Sequence, residues 1–238
     1  MKKPCLFFDL DDTILDFHWA EHRALTRAFR EAGIEPEQAL LDRYSDINRS
    51  QWELLERGIL TREQVLVRRF ALLFAERGIE ADAETISRRY EELLGDGHRF
   101  LPGAEDLLRS LQGKARLFLA SNGCYAVQEA RIESSGIAPY FEDMFISELI
   151  GADKPSEEFY RRSVARISDY DPSRALMVGD SLTSDILGGI RAGMHTCWLN
   201  PLDRPCRDDI VPDAEIRSLS ELPELIEHLF SGGDSFDR

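Results

Sequence analysis

Residues 5–13 read Cys5-Leu6-Phe7-Phe8-Asp9-Leu10-Asp11-Asp12-Thr13. Four apolar residues stopped by a cluster of acids have the form of a short strand buried on both faces of a parallel sheet. The form recurs at Arg116–Ala120, Met144–Ile146, Ala175–Val178 and Thr196–Leu199, and more weakly around Ala214–Ile216. Helical patterns separate the later runs. Leu107, Leu108 and Leu111 follow Pro102-Gly103, and Val127, Ala130 and Ile132 precede Gly136. Phe159, Val164 and Ile167 follow Pro155, and Ile186, Leu187 and Ile190 precede Gly193. Proline near a helix start and glycine past its end are the expected punctuation. The alternation predicts an α/β fold with a doubly wound parallel sheet.

One stretch interrupts the alternation. Between Asp16 and Gly95 no run reads as a strand. Phe17, Ala20, Ala24, Leu25, Ala28 and Phe29 form one helical stripe, and Leu40, Leu41, Tyr44, Ile47, Leu54 and Leu55 a second. Thr61 and Gln64 have capping-box spacing ahead of Val65, Leu66, Phe70 and Leu73, and Ile86, Tyr90, Leu93 and Leu94 complete a fourth stripe. Four amphipathic helices can bury their stripes against one another. The expected organisation is a core from 1–15 and 96–238, with a four-helix domain inserted over 16–95. The tail Ser231–Arg238 is expected to be disordered.

The chain has 238 residues, with 29 Lys and Arg against 44 Asp and Glu, for a net charge of −15. So acidic a surface is repelled by polyanions, which argues against a nucleic acid polymer or an anionic membrane as partner. A small phosphorylated molecule in a locally positive pocket is still compatible. No apolar run approaches the ~20 residues of a membrane-spanning helix, and Asp9, Asp11 and Asp12 cut the N-terminal apolar run too short for a signal peptide. Cys5, Cys124, Cys197 and Cys206 are scattered, as expected of reduced thiols in the cytoplasm.

Polar residues with chemical potential follow the strands. Three acids in Asp9–Asp12 either form a turn or repel one another unless a cation sits there; a carboxylate pair such as Asp9 and Asp11 can divide the work of nucleophile and acid–base. Asp180 ends the fourth strand and Asp185 follows five residues later. Either caps a helix, yet both fall at the carboxyl end of the sheet, where ligands of open α/β sheets bind. Oxygen donors from separate strand ends suit Mg²⁺. Ser121 and Asn122 end the second strand just before a helix, a place for an N-cap or an anion. Lys154, ahead of Pro155, is either a surface lysine or the positive charge this acidic cluster lacks.

The order of these four pieces, DxDxT, Ser, Lys-Pro and GDxxxxD, resembles the motif set of the haloacid dehalogenase (HAD) superfamily over nearly the whole chain. The resemblance implies a HAD-like Rossmannoid core whose helical insertion is a cap. It implies a phosphatase in which Asp9 is the nucleophile that forms an aspartyl-phosphate. Asp11 would protonate the leaving oxygen and then activate water. Ser121, Asn122 and Lys154 would bind phosphate, with Thr13 in support. Mg²⁺ would be held by the Asp9 carboxylate, the backbone carbonyl of Asp11 and Asp180, with Asp185 contacting it directly or through water. A 2-haloacid dehalogenase would lack the second aspartate; a receiver domain would order its acids differently and lack a cap. A dead binding protein would not retain every catalytic group.

Within the superfamily, Trp52–Thr61 with Arg69-Phe70, Ile146–Glu148, Ser184–Ile190 and Thr196–Asn200 resemble the pyrimidine 5′-nucleotidases. That implies pyrimidine or non-standard nucleoside monophosphates as substrates, with a sugar-phosphate or phosphoglycolate phosphatase as the alternative. Phe17, His18 and Trp19, just past the catalytic turn, are candidates for selecting the leaving group, or else form the first turn of a helix. Asn48 and Trp52 are further candidates. The protein is expected to be a monomer or homodimer.

Overall fold

A computed structural model describes residues 2–230; the tail expected to be disordered lies outside them. Six strands, β1 (Cys5–Phe8), β2 (Arg116–Ser121), β3 (Asp143–Ile146), β4 (Ala175–Gly179), β5 (His195–Leu199) and β6 (Ala214–Ile216), form one sheet in the order β3-β2-β1-β4-β5-β6, every pair parallel. The doubly wound α/β sheet expected from the alternation is therefore present. The chain winds outward from β1 through β2 to β3, then returns to the other side of β1 for β4. That reversal opens the crevice where such sheets bind ligands.

β1 is completely flanked: Phe8 pairs with Leu119 on β2 and with Val178 on β4. One step further along the register, Asp9 lies level with Ala120 and Gly179, and its N–H continues the ladder to Val178 O at 3.0 Å. Burial on both faces is why these strands are apolar throughout, as Leu6, Phe7 and Phe8 have no exposed surface. On one face Phe7, Phe118 and Phe145 stack with ring centroids 5.2 and 5.8 Å apart, beside Phe159 and Tyr160 of a helix over Glu157–Val164.

Two compact units make up the chain. The sheet unit comprises residues 1–15, 100–122 and 137–238; the helical unit comprises 16–99 and 123–136. In the helical unit the four expected helices form: α1 (Phe17–Glu31), α2 (Gln38–Glu56), α3 (Arg62–Arg77) and α4 (Ala83–Gly95). Asp16 caps α1 by accepting from Trp19 N, and Thr61 and Gln64 close a capping box on α3. Their stripes meet in one core centred on Phe29, Tyr44, Phe70 and Tyr90. The helix over Tyr125–Ser135 also belongs here, because Val127 packs into that core. No helix among the described residues is long and apolar enough to cross a membrane.

Candidate active site

The site begins where β1 ends. Beyond Phe8 the chain turns back on itself: Ile14 and Leu15 N–H both donate to Leu10 O, and Asp12 N–H donates to Leu15 O at 2.7 Å. Asp12 takes a left-handed conformation with φ 54°, one of the few such positions a non-glycine tolerates. The turn leaves Asp9 buried and Asp11 half-buried; Thr13 is fully buried, its hydroxyl without a hydrogen-bond partner among the described residues.

Lys154 reaches this turn from 145 residues away. Its side chain is 1% exposed, and its ammonium donates to Asp9 Oδ1 at 2.6 Å, Asp185 Oδ1 at 2.7 Å and Ala120 O at 2.6 Å. All three ammonium donors are thereby used. Asn122 holds the base of this lysine. Its side-chain oxygen accepts from Lys154 N at 2.8 Å and its amide donates to Lys154 O at 2.9 Å. Ser121 is buried at the end of β2.

The second acidic pair comes from β4. Asp185 sits in a π-helical turn over Leu182–Ile186 and accepts from Ser181 N at 3.1 Å. It presses so closely on the strand end that a Cβ at Gly179 would lie 2.2 Å from its Oδ2, so only glycine fits there. Asp9, Asp180 and Asp185 each place a carboxylate oxygen within 4.8 Å of the others. The carboxylate of Asp11 is not in this triplet.

The electrostatics are unbalanced. Burial pushes Asp9 up to about 8; Lys154 pulls it down, while Asp185 and Asp11 push it further up. Burial raises Asp180 well above the usual carboxylate range, helped by Asp12, Asp185 and Asp9 and opposed by Arg204. Burial works against the charge on Lys154, but Asp185 and Asp9 outweigh it and hold the ammonium above the ordinary lysine range. With all three carboxylates ionised against one buried ammonium, two negative charges would stand unbalanced, which is why burial favours their protonated forms. A divalent cation balances that difference, and a set of hard oxygen donors at this spacing fits Mg²⁺.

The residues expected to select a leaving group lie in the helical unit. Phe17 and Trp19 pack half-buried on the helical core, with the guanidiniums of Arg23 and Arg99 over the Trp19 ring at 5.9 and 5.4 Å. His18 is exposed and Trp52 half-buried. Asn48 is buried in a polar chain: its amide donates to Glu21 Oε1 at 2.9 Å, and its oxygen accepts from Arg69 at 2.9 Å. Arg69 is 1% exposed, pairs with Glu91, and lies over the rings of Tyr44, Phe70 and Tyr90. Sequence reading missed Glu21 as a buried acid, and Trp198 and Arg204, which both donate to Asp180 O at 2.9 Å. The tryptophan was visible as an aromatic residue in a strand; the arginine carried no mark of its own, only Asn200 four residues before it in the same loop.

Carboxylates from two neighbouring strand ends, tied by one buried lysine at the switch in strand order, define a hydrolase of the haloacid dehalogenase kind. The chain belongs to the haloacid dehalogenase-like hydrolase family, whose model matches residues 4–193. It is 40% identical over 221 residues to the HAD-hydrolase YfnB of Bacillus subtilis, covering 93% of this chain and 94% of that one. The crystal structure of YfnB bound to magnesium superimposes with a TM-score of 0.91 at 39% identity, over 95% of this chain and 99% of that one. Two pyrimidine 5′-nucleotidases are also similar. PynA of Streptococcus pneumoniae is 38% identical over 93% of this chain and 94% of its own length. YjjG of Escherichia coli is 33% identical over 95% and 99%.

Proposed function

We propose that this hydrolase is a Mg²⁺-dependent phosphomonoesterase that works through an aspartyl-phosphate and acts on pyrimidine or non-standard nucleoside monophosphates. The observation that carries the chemistry is the bridge from Lys154 to Asp9 and Asp185, with Asp180 beside them. Magnesium in the similar YfnB and the activity named for PynA and YjjG support the metal and the substrate class.

In this reading Asp9 attacks phosphorus, forming an acyl phosphate as the bond to the leaving oxygen breaks. Ser121 holds the phosphoryl oxygens with Lys154, whose ammonium gives up one of its three present acceptors to reach them, and Asn122 fixes Lys154 through its backbone. Asp11 gives its proton to the leaving oxygen. It then takes a proton from a water that attacks phosphorus, releasing phosphate and restoring Asp9. Asp9, Asp180 and Asp185, with the Asp11 backbone carbonyl, would hold Mg²⁺, which neutralises charge on the phosphoryl group. Asp11 separates this reading from dehalogenation, where a halide leaves without a proton.

Residues 16–95 are read as the cap that selects the leaving group, with Phe17, His18 and Trp19, and then Asn48 and Trp52, as its selecting residues. Hydrolysis of UMP, dTMP and their purine counterparts by the purified enzyme tests the whole proposal. Expected is Mg²⁺-dependent release of phosphate that Asp9→Asn abolishes in a folded protein, with kcat/KM favouring pyrimidines. Equal turnover of purines removes the nucleotidase assignment, and a strong preference for phosphoglycolate or a sugar phosphate replaces it.

A further inference from the structure

The carbonyl of Asp180 and the N–H of Ser181 belong to one peptide unit. In a trans peptide these two groups point in opposite directions, so fixing one aims the other. Here both ends are occupied. On one side Asp180 O accepts from the Trp198 indole N–H at 2.9 Å and from Arg204 Nη2 at 2.9 Å, which uses both carbonyl lone pairs. On the other side Ser181 N–H donates to Asp185 Oδ2 at 3.1 Å, while Asp185 Oδ1 accepts from Lys154. The orientation of two acids thus hangs on a single peptide plane.

The donors to that plane are themselves held. Trp198 is 1% exposed on β5, in register with Gly179. Arg204 stands in a loop of the sheet unit, its guanidinium over the Trp198 ring at 5.7 Å. Fully buried Asn200 ties that loop down. Its side-chain oxygen accepts from Arg204 N at 2.9 Å, and its amide donates to Arg204 O at 2.9 Å and to Glu215 Oε1 at 2.6 Å. Arg204 Nη2 is also 3.6 Å from Asp180 Oδ2.

We infer that Trp198 and Arg204 are positioning residues that preorganise the metal-binding acids by clamping the Asp180–Ser181 peptide. The inference rests on the Mg²⁺-dependent reading above. Groups that orient a metal's ligands typically change its affinity by about 10–100-fold. The test is Mg²⁺ titration by calorimetry of wild type, Arg204→Ala, Arg204→Gln and Trp198→Phe, well below their melting temperatures. Arg204 is half in solvent, so its variants stay folded even if Trp198→Phe does not.

The clamp predicts a Kd for Mg²⁺ raised about tenfold in Arg204→Ala and in Trp198→Phe, and a smaller rise in Arg204→Gln, which keeps a donor. Tighter Mg²⁺ binding in Arg204→Ala would show the guanidinium acting as a competing charge and overturn the clamp. An unchanged Kd in both Arg204 variants would overturn it too. Wild type that binds no Mg²⁺ would remove the metal reading together with the inference; wild type that binds normally beside unaffected variants removes the inference alone.

Discussion

Replacing Lys154 with methionine removes the charge at the centre of the site while nearly preserving side-chain length and volume. Two carboxylate oxygens and the Ala120 carbonyl lose donors now at 2.6–2.7 Å in a setting where Lys154 and Asp185 are 1% exposed. Breaking a buried ion pair from one side costs about 3–5 kcal/mol. At about 2–4 °C per kcal/mol for a chain of this size, Tm of metal-free protein falls by about 6–20 °C. The loss depends on pH. Asp9 has a folded pKa raised from 3.8 to about 8, so its stabilising contribution is complete below 3.8 and disappears as pH rises through about 8. Lys154 is what pulls that value down, so without it the ionised form costs more. The gap between wild type and Lys154→Met therefore stays level up to about pH 8, where Asp9 of the folded wild type is still protonated, and widens above it in EDTA, read by thermal denaturation. A drop under about 3 °C at neutral pH, or a gap that stays constant above about pH 8, would refute a buried, uncompensated carboxylate pair.

Asp11→Asn should slow single-turnover phosphorylation of the enzyme more for an alkyl phosphate than for an activated aryl phosphate, whose leaving group needs no proton; equal losses would remove Asp11 as the acid. Gly179→Ala puts a methyl 2.2 Å from Asp185 Oδ2 and must displace that carboxylate, so the Mg²⁺ concentration for half-maximal activity should rise at least about tenfold. An unchanged requirement would mean the turn yields elsewhere. Burial raises Glu21 above 4.5, against opposing hydrogen bonds from Ser45 and Asn48 and the charges of His18 and Arg69. Its contribution to stability is full below 4.5 and is lost as pH climbs through the folded value. Glu21→Gln should flatten that slope in urea unfolding; a slope identical to wild type would place the titration elsewhere.

The central strands were legible because they are buried on both faces, so composition alone marks Cys5–Phe8 and Ala175–Val178, while β6 at the sheet edge, with Glu215 exposed, read more weakly. Helix stripes were legible for the same reason, but a stripe tells only that a face is buried, not against what. The helix over Tyr125–Ser135 shows the difference. Its apolar residues follow a strand and precede Gly136, as a crossover helix would, yet Val127 belongs to the buried cluster of the helical core that holds Tyr90 and Phe70. Polar residues on buried faces were invisible to periodicity. Glu21 and Arg69 fall on the inner faces of two different helices, at spacings that read as ordinary charged positions until the folded chain brings each to 2.9 Å from Asn48, which was singled out only as a candidate for selecting the leaving group.

The same division runs through the site. Asp9 and Asp180 could be singled out because an acid at the end of an apolar strand is locally anomalous, Asp185 by its spacing from Asp180, and Lys154 because Pro155 sets it just ahead of a helix. Trp198 and Arg204 could not, because they act through a backbone carbonyl, and any residue supplies one. Only the register of β4 with β5, which sets Trp198 beside Gly179, turns an ordinary buried aromatic into a donor next to Asp180. Arg204 follows from Asn200, whose fully buried amide has no apolar role and must spend its donors and acceptor on the loop that carries the arginine. A buried asparagine just past a strand end was therefore the available signal, and it points to the loop rather than to itself.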